Sequence, residues 1–97
     1  MQDLWMQIKS AYREQPRDVL TFGKRKYFYV YTEGDEVYLE SGKNHENASV
    51  IKGRRVLDKA NLEAIYAAYR AGCGAGEVTD ITFHSTYWFG IFLDLGL

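Results

Sequence analysis

Two histidines and one cysteine are the side chains of this 97-residue chain best suited to nucleophilic, acid–base or metal chemistry, and their spacing favours none of the three. His45 lies in the polar run "SGKNHENAS" (41–49), and His84 stands beside Ser85 near the C-terminus. They share no helical spacing and no cysteine pair, so no metal site is expected from them, and no cofactor. Ser85 has no G-x-S-x-G context, and no acid is placed by sequence to orient the His84 imidazole. Cys73 sits among Gly72, Gly74 and Gly76 without a neighbouring cation to lower its pKa. The stretch "GCGAG" follows a helical pattern and lacks the Gly-Lys-Ser/Thr ending of a phosphate loop. His45 is therefore read as a solvated loop side chain, His84 as a half-buried tip, and the chain as a protein without catalytic activity.

Stacking and phosphate contact are suggested instead by "GKRKYFYVYTEGDEVYLE" (23–40), in which cations run into aromatics and acids follow. The strand "RKYFYVY" resembles the RNP1 signature of RNA recognition motifs over about eight residues, with Arg25, Tyr27, Tyr29 and Val30 at matching positions. Lys26 and Phe28 stand where that family has small residues. The family's fold also places a strand and a helix before this strand, whereas here a helix begins almost at the N-terminus, so membership is rejected. Side chains alternate along paired strands. If Gly34 and Asp35 form a two-residue loop, Glu33 faces Glu36, Tyr31 faces Tyr38, Val30 faces Leu39 and Tyr29 faces Glu40. Phe28, Val30, Thr32, Val37 and Leu39 then share a core face. Arg25, Tyr27, Tyr29, Tyr31 and Tyr38 share the other with Glu33, Glu36 and Glu40, whose charge would repel a phosphate backbone. That second face reads as a tyrosine ladder covered by a helix or a partner. Lys24, Arg25 and Lys26 near one turn, with Lys52, Arg54 and Arg55 at another, would make a nucleic-acid patch only if the two tips adjoin. Charged residues at hairpin tips are also ordinary edge protection.

Composition narrows the class further. Twelve basic and thirteen acidic residues leave a net charge of -1 and a pI near 6.1, which disfavours a dedicated nucleic-acid binder. A single cysteine excludes an internal disulfide and points to a reducing, cytoplasmic setting. The N-terminal stretch "MQDLWMQIKSAYREQ" has an early acid and no apolar core of signal-peptide length, and no stretch approaches the roughly 18 residues of a membrane span. At 97 residues and 46% hydrophobic content, one domain is expected.

The elements follow from periodicity. Leu4, Trp5, Ile8, Ala11 and Tyr12 mark one stripe of a first helix, capped by Asp3 and ended by Pro16. Strands are expected at 19–22, 26–33 and 36–41, and a second hairpin turning at Gly53 with Ile51 opposite Val56. The polar run 41–49 is expected to be the most mobile segment. Asp58 is placed as the cap of another helix, whose buried stripe is Leu62, Ile65, Tyr66 and Tyr69, with Gly72 at its C-terminus. Residues 71–77 read as a flexible connector. The tail, "ITFHSTYWFGIFLDLGL", is apolar on every side. It reads as a short strand at 81–83 and then a helix, with closing strands as the alternative. The expected fold is α+β: an N-terminal helix, an antiparallel meander of three to five strands, then one or two helices packed on the sheet. Six aromatics (Trp5, Tyr12, Tyr66, Tyr69, Tyr87, Trp88) read as core, with a ligand cavity as the alternative. The tyrosine face and the apolar tail cannot easily share one core. A homodimer or protein partner is therefore expected, bound through Tyr27, Tyr29, Tyr31, Tyr38, Trp88 and Phe92.

Overall fold

The first helix, α1 (Leu4–Glu14), forms where the apolar stripe demands it, burying Trp5, Ile8 and Tyr12. The computed structural model describes residues 3–21, 26–78, 80–82 and 84–97. Asp3 begins α1 through its backbone, its carbonyl accepting the Gln7 N–H at 3.0 Å, and its side chain makes no capping bond. Four antiparallel strands follow in sequence order: β1 (Arg17–Leu20), β2 (Tyr27–Glu33), β3 (Glu36–Ser41) and β4 (Arg55–Val56). A 3₁₀ turn (Lys59–Asn61) leads into α2 (Leu62–Arg70), a second 3₁₀ turn spans Ala75–Val78, and α3 (Ser85–Leu95) closes the chain. The α+β meander with helices packed on it is thus the architecture, with four strands in the sheet.

The β2–β3 hairpin has the register that its parity requires. Glu33 pairs with Glu36, Tyr31 with Tyr38, Val30 with Leu39 and Tyr29 with Glu40. Gly34 turns the chain at φ 62°, a left-handed value that glycine adopts without cost. The turn is also docked on α1, where Lys9 Nζ reaches Asp35 at 3.1 Å and Arg13 donates to the Gly34 carbonyl. Thr32 adds a bond to the Lys9 carbonyl at 2.8 Å, so α1 lies on the Phe28/Val30/Thr32 side of the sheet. Phe28, Val30, Val37 and Leu39 are fully buried there.

Other expectations are corrected. β1 starts two residues earlier than the β-prone run, because Arg17 faces α3 and joins the core side. Its Nη2 and Nε donate to Asp94 Oδ2 at 2.7 and 3.1 Å, beside the Tyr12 hydroxyl, which donates to the same oxygen at 2.7 Å. Burial first, and the Asp94 bond second, push the Tyr12 hydroxyl pKa upward. There is no second hairpin around Gly53. The Ile51 N–H and C=O are both occupied by the Ser41 hydroxyl (2.7 and 3.0 Å), and Val56 pairs with Tyr38 instead. Ile81 and Thr82 are not in a strand, and Phe83 lies outside the described residues. The connector after α2 contains the 3₁₀ turn Ala75–Val78, and Val78 is buried in the core.

α3 holds the interior together. Trp88, Phe89, Ile91 and Phe92 have no exposed surface, and the helix packs against β1 and α2. Gly90 sets how closely it approaches, since a Cβ at that position would fall on the Leu20 carbonyl oxygen. Helix propensity alone predicts that Gly90→Ala gains about 1 kcal/mol. The contact reverses that sign: urea unfolding should show a loss of about 1–3 kcal/mol. A raised midpoint would mean that α3 does not seat against β1 in this way.

Candidate functional site: the outer sheet face

The helices lie on one side of the sheet, and strand alternation puts the tyrosines on the other. Tyr29, Tyr31 and Tyr38 stack in a row, with ring centroids 5.9 Å apart for Tyr29 and Tyr31 and 5.5 Å for Tyr31 and Tyr38. Leu20 and Val56, at the two edges of the same face, remain 38% and 44% exposed. Tyrosine suits such a position, because its ring shields the sheet while its hydroxyl stays in water. No helix among the described residues packs over this row; long cations from flanking loops do. Lys43 Nζ lies 4.3 Å from the Tyr29 centroid and the Arg54 guanidinium 4.1 Å from that of Tyr38. Arg54 also pairs with Glu33 at 3.0 Å and donates to the Tyr31 hydroxyl at 3.4 Å. Burial and Glu40 raise the Tyr31 pKa against the opposing pull of Arg54. The face therefore mixes signs. The strand residues alone supply its glutamates, and the loops add the compensating cations.

The 41–49 run is tied down at several points. The buried Asp18 carboxylate, on β1, accepts the Lys43 N–H (3.0 Å), the Asn44 N–H (2.7 Å) and His45 Nδ1 (2.9 Å). Burial alone would raise the Asp18 pKa; the three donors outweigh it and leave the group more acidic than usual. The Tyr27 N–H donates to the Asn47 carbonyl at 2.8 Å, and the Ser49 N–H to the Tyr27 carbonyl at 2.7 Å. His45 stacks on Tyr27 with centroids 3.5 Å apart and planes 7° from parallel. His45 stays 43% exposed, as its polar surroundings in sequence suggest, while its contacts with Tyr27 and Asp18 latch the loop to the end of the tyrosine row.

The remaining sequence candidates scatter. Trp88 and Phe92 are fully buried in the chain's own core, so neither has surface to offer a partner. The reason is geometric: α3 occupies the inner layer and the tyrosines the outer face, so the two apolar groups never compete for one core. Lys24 and Arg25 lie outside the described residues. Lys26 precedes β2, whereas Arg54 contacts Glu33 at its far end, about 23 Å away at strand rise. Lys26 and Arg54 therefore do not form one patch. Lys52 and Arg55 are exposed, and Arg55 lies on the inner side of the sheet, paired with Leu39.

A second cluster joins residues far apart in the sequence. Asp58 caps nothing with its side chain; its carboxylate collects four side-chain donors from three segments. Oδ1 accepts Trp88 Nε1 at 2.8 Å and His84 Nδ1 at 3.1 Å; Oδ2 accepts Asn61 Nδ2 at 2.7 Å and the Thr82 hydroxyl. Burial alone would raise its pKa, but the bonds from Thr82, Asn61, Trp88 and His84 prevail and lower it to about 2. The acid that sequence could not supply for His84 is thus 26 residues upstream. Among the described residues no group of three His, Cys, Asp or Glu could hold a metal ion, and no helix is long and apolar enough to cross a membrane.

Compared with protein-family models, curated proteins and solved structures, the chain matches none.

A carboxylate with a depressed pKa stabilises the fold above its unfolded-state pKa, and the contribution is lost as pH falls through the folded-state value. Asp58→Asn should therefore cost about 1–2 kcal/mol at neutral pH, after allowing for the 26% of the side chain that water reaches. Urea midpoints measured against pH should show this deficit shrinking between 3.8 and about 2. A deficit unchanged at the acid end would mean that charge is not what Asp58 contributes.

Proposed function

We propose that this protein works by binding another macromolecule through the outer sheet face, and that its first partner is a second copy of itself. The observation that carries this reading is the row Tyr29–Tyr31–Tyr38, which is half-buried under cations of its own chain and has no helix over it among the described residues. The face is also self-complementary in charge. Lys43 and Arg54 stand beside Glu33 and Glu40, so a two-fold axis through the tyrosines can set each cation against a partner carboxylate. Tyrosine and arginine are the residue types that most often anchor interfaces. The face measures about 20 by 23 Å from strand spacing and rise, which is the low end of specific interfaces. The association is accordingly weak and dependent on concentration. The single cysteine fits a reducing, cytoplasmic setting.

Nucleic-acid binding is the second reading, favoured only by the cations that lie over the tyrosine rings, an arrangement that also suits base stacking. Against it stand the glutamates of the same face and the separation of Lys26 from Arg54.

Sedimentation velocity over a dilution series tests the first reading. The chain should pass from dimer to monomer, Glu40→Lys and Arg54→Glu should each shift that transition to higher concentration, and the double variant should recover part of the loss. A monomer at every concentration contradicts self-association. Binding of a single-stranded oligonucleotide that weakens steeply with salt would move the assignment to the second reading.

A further inference from the structure

Beside Asp58 the inner side of the protein opens into a cavity of about 670 Å³, within the size range of small-molecule sites. Arg55, Asp58, Asn61, Asp80 and His84 line it, with Ile81 as an apolar wall. The Asp58 cluster decides what three of these groups can offer. An ionised carboxylate only accepts, so the His84 nitrogen that meets it, Nδ1, carries the proton. In the Nδ1–H tautomer, Nε2 is an acceptor. It has no partner among the described residues, nor is it a buried orphan, so it meets solvent on a residue that lines the cavity. The same reasoning orients Asn61: its Nδ2 is committed to Asp58, which leaves Oδ1 as a free acceptor. Asp58 itself is satisfied by its four donors and has little left to give a ligand.

Arg55 and Asp80 supply the charge. Both line the cavity, and among the described residues neither belongs to an ion pair, although they have opposite signs. The cavity thus offers one guanidinium donor fork and three acceptors: the Asp80 carboxylate, His84 Nε2 and Asn61 Oδ1. An inorganic anion would satisfy Arg55 but face two carboxylates. A simple cation would satisfy Asp80 but face Arg55. A small zwitterion satisfies both, and an ammonium group has three N–H donors for the three acceptors.

We propose that this cavity is a binding site for a free α-amino acid, with its carboxylate on Arg55 and its ammonium group on Asp80, His84 Nε2 and Asn61 Oδ1. Ile81 then faces the ligand's side chain. The site is on the opposite side of the sheet from the tyrosine row, so its occupancy and the self-association of the chain can be measured separately.

Nitrogen-15 NMR of the 97-residue chain tests this, with L-alanine as the probe and acetate and methylamine as its two halves. The imidazole should show the Nδ1–H tautomer for His84. L-alanine should shift the His84 ring nitrogens and the Asn61 side-chain amide saturably, with acetate and methylamine each at least about tenfold weaker. The exposed substitutions Arg55→Gln and Asp80→Asn should each weaken L-alanine by about tenfold while leaving the spectrum otherwise folded. Absence of a saturable shift with L-alanine overturns the proposal, as does an equal response to all three compounds, an Nε2–H tautomer, or a response unaffected by Arg55→Gln.

Discussion

A four-stranded sheet has two faces, and among the described residues helices pack on only one of them. Most of the structure is a response to that asymmetry. On the inner side, α1 and α3 enclose Phe28, Val30, Val37 and Leu39, and the apolar tail finds its place there as α3. On the outer side the strands carry tyrosine in place of phenylalanine or leucine, and loop cations lie on the rings. Such a surface tolerates water while keeping a large contact area available, which is the combination that reversible interfaces use.

Two buried or half-buried carboxylates do for the irregular segments what hydrogen-bond ladders do for the strands. Asp18 gathers the polar loop by accepting two of its backbone N–H groups and His45. Asp58 gathers the first 3₁₀ turn, the segment before α3 and α3 itself through Asn61, Thr82, His84 and Trp88. A carboxylate that accepts several directed bonds stays ionised despite partial burial. Each therefore fixes the geometry of its neighbours as well as their proximity. The orientation of the His84 and Asn61 side chains toward the cavity is a consequence of the Asp58 network.

The elements legible in the sequence were those whose information is local. α1 could be read from apolar residues three and four apart, and the β2–β3 register from a two-residue turn and strict alternation. Tyr29, Tyr31 and Tyr38 could be grouped on one face for the same reason. What could not be read depends on distant pairings. Nothing near Asp58 shows that Trp88, thirty residues away, will donate to it, so an N-cap was the natural local reading. Nor does anything local show that Lys43 and Arg54 return over the tyrosines, so the face looked more acidic than it is. Trp88 and Phe92 were assigned to a partner because residues that are apolar all round a helix carry no periodicity to mark their burial. His45 is exposed in a loop and His84 half-buried, as local sequence suggests, but their partners Asp18 and Asp58 lie 27 and 26 residues away and leave no local trace.

The central claim is that the tyrosine face is a contact surface between copies of the chain. Solvent paramagnetic relaxation of tyrosine ring protons and of Met and Leu methyl protons, recorded at low and high protein concentration, tests it residue by residue. The account predicts that Tyr29, Tyr31 and Tyr38 become protected as concentration rises, while Met6 and Leu93, exposed on the helices, do not. Protection that is independent of concentration, or that appears on the helices and not on the tyrosines, would contradict it.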